Sequence, residues 1–194
     1  MIHIHDLVQR VNDGIERAAA AGVVEPTAMA IATVDEHGRP TLRTVLLKHA
    51  DEHGFVFYTN LESRKGRDLA RFPWASLCFW WAPLGEQIHV DGRVKPVAAA
   101  EADEYFATRP RGSQIGAWAS RQSEAIESRQ VLLDRVAQVE KRFEGKDVPR
   151  PPHWSGFRLI PDRFEFWYAR EDRLHERFEY RFEDARWHER ILSP

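Results

Sequence analysis

The chain has 194 residues, 43% hydrophobic and 30% charged, enough for one soluble globular domain with a sizeable core. A formal net charge of −2 argues against broad nucleic-acid or membrane electrostatics, and no apolar run approaches a membrane span. The single cysteine, Cys78, cannot form an internal disulfide, and MIHIHDLVQRV lacks the apolar core of a signal peptide, so a reducing, cytoplasmic setting is expected.

Residues 1–25 read as an N-terminal helical segment, with Leu7, Val11, Ile15 and Ala18 at helical spacing between Asp6 and Ala21. Strands follow at Ala28 to Val34, Arg43 to His49 and Phe55 to Thr59. Two copies of the turn sequence DEHG, at 35–38 and 51–54, separate them, which predicts a three-stranded antiparallel meander. Ser63 can cap a short helix running through Ala70. Free N–H groups at that helix start, with Arg64 and Lys65, predict a phosphate site at the end of a sheet. It is not a Walker loop, since no G-x-x-x-x-G-K-[ST] occurs.

Ala75 to Trp81 is a dense apolar strand that buries Cys78, and Pro83 to Glu86 turns it back into Gln87 to Val94. There Gln87, His89 and Asp91 alternate with Ile88 and Val90, giving one polar and one apolar face. Ala98 to Thr108 is helical, and Tyr105 and Arg109 are four apart on one face. Gly112 to Ser123 is small and polar, a composition suited to close backbone packing or a ligand. A long helix is expected from a Ser123 cap to about Gly145, with Ile126, Leu133, Val136, Val139 and Phe143 on one side. After a proline-rich connector come strands at Gly156 to Ile160, Arg163 to Tyr168, Arg177 to Phe182 and Arg186 to Leu192. The charged turn Arg170 to Arg177 lies among them. About eight strands in hairpins, with no β-α alternation, predict a predominantly antiparallel β fold with flanking helices.

The chemistry-bearing motifs are mostly absent. Nine histidines include His3 and His5, expected on one face of a strand, but no H-E-x-x-H or Cys/His cluster suggests a metal. No G-x-S-x-G and no G-x-G-x-x-G occurs. What remains is a set of cations at turns and strand ends: Arg43, Lys48, Arg64, Lys65, Arg109, Arg173 and Arg177. Phosphates are their natural ligands, although each cluster alone also fits solvated surface. Several separate clusters suit two phosphorylated small molecules. The seven tryptophans fit an aromatic-lined site or plain packing.

The runs RTVLLK, FYTN, SRKG, YF-x-x-RP-x-x-SQIGAWAS-x-QS and EFW followed by RLHER resemble the pyridoxamine 5′-phosphate oxidase family, from about Pro26 to Pro194. The resemblance implies an FMN-binding split β-barrel working as a homodimer, with FMN between subunits. It implies that Arg43, Thr44, Val45, Leu46, Leu47, Lys48, Tyr58, Thr59, Arg64, Lys65, Gln87, Gln122, Ser123, Trp167 and Arg177 hold FMN, Arg64 and Lys65 gripping its phosphate. Lys48, Tyr105, Arg109 and Ser113 match the clamp on the substrate's phosphate. Arg173, Leu174 and His175 match residues at the substrate ring, Arg173 and His175 being the catalytic pair. The implied reaction oxidises pyridoxamine or pyridoxine 5′-phosphate at its 4′-carbon with dioxygen. It gives pyridoxal 5′-phosphate, hydrogen peroxide and, from the amine, ammonia.

Four positions depart from the family's usual residues: Glu86 stands for Arg, Tyr168 for Gln, Glu176 for Asp and Ser155 for Gly. The N-terminal region lacks a clear match to the segment that covers substrate. Two other readings compete. One is a phenazine-pathway type of FMN split-barrel oxidase, which would lose the phosphate clamp. The other is a non-catalytic carrier of flavin or pyridoxal phosphate.

Overall fold

A computed structural model describes all of residues 1–194 and shows one nine-stranded antiparallel sheet, curled into a split barrel with helices around it. In chain order the elements are α1 (Ile4–Ala20), β1 (Ala28–Val34), β2 (Pro40–Leu46), β3 (His49–Asp51), β4 (Gly54–Asn60) and α2 (Arg64–Arg71). Then come β5 (Trp74–Trp81), β6 (Glu86–Pro96), α3 (Ala99–Thr108), α4 (Arg111–Ala119) and α5 (Arg129–Arg142). The chain ends with β7 (Trp154–Tyr168), β8 (Glu176–Glu183) and β9 (Arg186–Ile191). The strand order is β2-β1-β5-β6-β7-β4-β3, with β8 and β9 continuing from β7. No helix is long and apolar enough to cross a membrane.

Alternation along the strands sends one set of side chains inward. Ile31, Phe57, Leu77, Phe79, Val90, Phe164 and Phe166 are buried in the main core, and α1 closes it with Leu7, Val8, Val11 and Ala18. A smaller core of Phe106, Ile115, Phe143, Val148 and Trp154 lies under α3 to α5.

The expected meander does not form. The β1–β2 hairpin is present, but the chain leaves the ladder at Leu47 and Lys48, and β4 pairs with β3 and β7 instead of β2. The cause is burial: six of the seven residues of β4 are buried, so it needs cover on both faces and takes a place inside the sheet. The expected strands 156–160 and 163–168 are one strand, β7. It runs through Pro161, which lacks a ladder N–H, because the register shifts at Asp91/Gly92 on the facing strand. Gly92 has no alternative there, since a Cβ would stand 2.1 Å from the Ile160 carbonyl oxygen.

Two helical expectations also change. Residues 111–119, read as small and polar, form α4, starting just after Pro110. The long helix begins at Arg129 rather than near Ser123, whose φ of 73° is incompatible with a helix start. His3 and His5 belong to the start of α1 and not to a strand. Cys78 lies in a strand but is half-buried.

Two arginines of α1, seven residues apart, fix the helix to one end of the sheet. Arg10 donates to the Tyr168 hydroxyl at 2.9 Å and the Tyr180 hydroxyl at 3.0 Å, and lies 4.1 Å from the Phe166 ring centre. Arg17 pairs with Glu86 at 2.7 Å. Glu86 and Tyr168 face each other across β6 and β7, so both serve the docking of α1. Arg10→Ala should cost about 2 kcal/mol of stability in urea unfolding, through two hydrogen bonds and a cation–π contact. Arg17→Ala, at a half-exposed pair, should cost less than about 1 kcal/mol. Equal losses would contradict this account of α1 docking.

Candidate active site

The open side of the sheet, between β2 and β4, holds a cleft of about 990 Å³. Strand β2 supplies Arg43 to Leu46, and Lys48 follows it. Strand β4 supplies Tyr58 and Thr59, α2 supplies Arg64 and Lys65, and α3 to α4 supply Tyr105, Arg109 and Ser113. Gln122 and Ser123 complete the lining from the turn after α4. Five cations line the cleft and no carboxylate does.

The cationic end is built around Lys65. Ser63 caps α2 as expected, and its Oγ accepts the Gly66 N–H at 3.3 Å. The Arg64 N–H goes to Ser123 Oγ at 3.2 Å. The helix start therefore has fewer free N–H groups than expected, and side chains carry the positive charge. Lys65, only 6% exposed, donates to Thr59 Oγ1 at 2.9 Å, Ser63 Oγ at 3.1 Å and Gln122 Oε1 at 3.3 Å. All three acceptors are neutral. Burial and the neighbouring Arg43 charge lower its pKa to about 8. Arg43 is held by Thr33 Oγ1 at 2.7 Å and by Thr41 Oγ1, and both hydroxyls donate to the buried Asp68. Arg64 reaches Asp35 at 3.3 Å and stays half-exposed. The donor set of Lys65, Arg64 and Arg43 fits an oxyanion, FMN's phosphate among them.

The other end is aromatic. Tyr58, Tyr105 and Trp154 stack, and Arg109 lies over Trp154 at 4.6 Å with a buried Nη1 that has no partner. Burial raises the Tyr58 pKa to about 12, so its hydroxyl stays neutral. Gly116, Ala117 and Ser120, from the small-residue run, line the wall as their composition suggested.

Leu47 is not in the cleft. It is buried in the core, and its N–H donates to Thr27 O at 2.9 Å. Gln87, Trp167, Arg173, Leu174, His175 and Arg177 also lie elsewhere, at the β6–β8 end of the sheet. Gln87, Trp167 and Arg177 form one row across three strands. The His175 ring lies tilted against Trp167, ring centres 4.5 Å apart, and Arg177 is held by Glu165 at 2.8 Å and the Ser193 carbonyl at 3.0 Å. The Arg170 N–H donates to His175 Nδ1 at 3.2 Å, so neutral His175 carries its proton on Nε2. Asp172 and Arg173 have φ of 53° and 60°, a left-handed pair that non-glycine residues adopt at a cost. Arg170 pairs with Glu176 at 2.6 Å and closes the base of that loop.

Sequence reasoning missed Thr33, Thr41 and Asp68, which hold Arg43, and Trp154 and Asn60 in the cleft wall. No local pattern links Asp68 to threonines 27 and 35 residues earlier. Trp154 carried a signal, an aromatic residue opening a strand after a proline-rich connector.

Fold and cleft together define a split-barrel protein with a cation-lined cleft. A family model described as pyridoxamine 5′-phosphate oxidase matches residues 15–143, and one described as the pyridoxine 5′-phosphate oxidase C-terminal dimerisation region matches residues 154–194. A pyridoxine/pyridoxamine 5′-phosphate oxidase of Myxococcus xanthus (strain DK1622) is 56% identical over 189 residues, 97% of this chain and 92% of the relative. One of Alkalilimnicola ehrlichii is 58% identical over 178 residues, 91% of each chain. Among solved structures, PhzG from Burkholderia lata 383, in complex with tetrahydrophenazine-1-carboxylic acid, has a TM-score of 0.91 at 34% identity. That match covers 96% of this chain and 92% of that one. The chain belongs to the pyridoxine/pyridoxamine 5′-phosphate oxidase family, a family of enzymes.

The Lys65 pKa gives a test with a definite sign. The folded value, about 8, lies below the ordinary 10.5, so keeping the proton costs the folded protein stability. That penalty is full below about 8 and fades as pH rises towards 10.5, so the cofactor-free protein gains stability across this window. If Lys65 holds an FMN phosphate, affinity should run the other way, bending downward as pH rises through about 8. The phosphate's own second ionisation, at about 6, lies outside this window. In a flavin-fluorescence titration, Lys65→Met should weaken FMN binding at least about tenfold and remove the bend. A bend that survives would assign the titration to another group.

Proposed function

We propose that this protein is an FMN-dependent oxidase that converts pyridoxamine 5′-phosphate and pyridoxine 5′-phosphate to pyridoxal 5′-phosphate. The observation that carries this reading is the carboxylate-free cleft, with Lys65, Arg64 and Arg43 at one end and Arg109 with Lys48 available to a second anion. FMN, when bound, supplies a ring that accepts a hydride and is reoxidised by dioxygen, releasing hydrogen peroxide. With the amine substrate, hydrolysis of the resulting imine releases ammonia.

The chain's own residues position and exclude. Lys65 and Arg64 hold the FMN phosphate, assisted by Thr59, Gln122 and Ser123. The backbone and side chains from Arg43 to Lys48 and Tyr58 line its bed. Lys48, Tyr105, Arg109 and Ser113 hold the substrate's phosphate and so fix the distance and angle of its 4′-carbon. Arg173 supplies charge and orientation at the ring. His175, protonated on Nε2, acts as a hydrogen-bond donor; a hydride mechanism needs no strong base there.

The second cluster, from Gln87 to Arg177, does not line the cleft of its own chain. A homodimer with FMN between subunits accounts for this, since each copy lends its Trp167, Arg173, His175 and Arg177 to its neighbour. Four of those residues fall inside the region matched by the family's dimerisation model, which supports the arrangement. A cytoplasmic setting remains part of the proposal.

The likeness to PhzG favours a second reading, oxidation of a phenazine precursor. A tetrahydrophenazine carboxylate offers Arg109 one carboxylate, whereas a phosphate has oxygens enough for Tyr105, Arg109, Ser113 and Lys48 together, which favours the first reading. Anaerobic mixing of the yellow protein with pyridoxamine 5′-phosphate should bleach the flavin band, and air should restore it with peroxide. Bleaching by a tetrahydrophenazine carboxylate alone would replace the first reading with the second. Persistent yellow colour with every candidate would leave a carrier. Arg173→Ala and His175→Ala should keep FMN bound while cutting turnover by about 100-fold or more. Normal turnover in both would remove them from the reacting carbon.

A further inference from the structure

Trp154 opens β7 opposite Asn60, is 6% exposed and lines the cleft. Its backbone is fixed on both sides: its N–H donates to Pro151 O at 3.0 Å, and its carbonyl accepts from Arg150 at 2.7 Å. Arg150 is in turn paired with Asp103 at 2.6 Å. Tyr58 lies parallel to the indole, with ring centres 5.3 Å apart and planes at 4°. Tyr105 lies on Tyr58 at 4.0 Å, and Phe106 meets the indole edge-on at 5.0 Å. The stack needs Gly156, which faces Tyr58 across the ladder; a Cβ there would come 2.7 Å from the tyrosine ring.

Onto this rigid plate the Arg109 guanidinium is laid, 4.6 Å from the indole centre. No carboxylate pairs with it, and its buried Nη1 has no hydrogen-bond partner. A carboxylate could hold an arginine equally still, but would cancel its charge. An aromatic face holds the guanidinium plane and leaves the charge to act on a ligand.

Building on the oxidase reading above, we infer that Trp154 is a specificity-determining positioning residue. Its indole face presents Arg109 as a preformed, unneutralised cation and so makes the cleft select the phosphate-bearing form of its ligand. Holding the guanidinium before the ligand arrives removes an ordering cost from binding.

The test uses FMN-loaded protein and 4-deoxypyridoxine 5′-phosphate, which has no oxidisable group at the 4′-carbon, with unphosphorylated 4-deoxypyridoxine as control. Calorimetric titration needs no turnover, so the result reads on Trp154 even if the oxidase reading fails. Trp154→Leu should weaken the phosphorylated ligand about tenfold, with the control and FMN affinity within about twofold. Trp154→Phe, which keeps a smaller aromatic face and stays closer to the native volume, should lose only about threefold. Arg109→Ala with Trp154→Leu should be no worse than Arg109→Ala alone, because the two act as one unit. The inference is overturned if the folded Phe variant binds both ligands as wild type does, if the losses add in the double variant, or if the loss falls on FMN.

Discussion

Strand β2 pairs with β1 and with no strand on its other side, while β4, which should have been its neighbour, is taken by β7. The sheet therefore curls without closing. A backbone edge inside a protein must be satisfied or kept wet, because unpaired N–H and C=O groups are costly to bury. Here the edge stays wet and becomes the floor of the cleft. Everything that borders it follows from this constraint. The chain must cross the open side at Leu47 and Lys48, and α2 begins where β4 runs out at Asn60. The helices α3 and α4 roof the far end. A closed barrel of the same strands would have no room for a ligand between β2 and β4.

The charges on either side of the molecule are used in opposite ways. At the β6–β8 end, Arg163 is surrounded by Asp91, Glu165 and Glu179, and Arg177 and Arg181 are tied to the same glutamates. These hydrogen bonds keep Glu179 ionised, its pKa lowered to about 2. Such a network cancels its own field and stiffens the strands that carry Gln87 and Trp167. In the cleft, Lys65 is bound by neutral oxygens and Arg109 by a ring face. Holding a buried cation without a counter-charge costs stability, and such perturbed groups concentrate at functional sites.

Local rules made the fold legible where a residue's partners are close in sequence. The Ser63 cap, the turn at Gly38, the alternating face of β6 and the placing of Arg64 and Lys65 at the start of α2 could all be read from a few neighbours. Other features depended on partners far along the chain. Whether β4 would pair with β2 turned on the fifteen-residue β7, which begins 94 residues after Asn60, and the unbroken course of β7 through Pro161 turned on the register shift at Asp91/Gly92 in β6. Ser123 reads as a cap by type, yet its hydroxyl is drawn to the Arg64 N–H and its backbone is left-handed. The site itself was legible mostly through resemblance. Charge and spacing could offer Arg173 or Arg177 as a ligand for phosphate, but not their separation from Lys65.

That separation also bears on Glu86, Tyr168 and Glu176, which belong together. They occupy one row across β6, β7 and β8, at the strand ends that feed the strained Asp172–Arg173 loop. Glu86 and Tyr168 take Arg17 and Arg10 from α1, and Glu176 takes Arg170 from the loop itself. A left-handed pair of non-glycine residues persists only when its surroundings over-determine it. The row supplies that determination: α1 holds two of the strands, and the Arg170–Glu176 pair closes the loop, leaving the Arg170 N–H on His175. The charge at position 86 is thus matched within this chain, by Arg17 of α1.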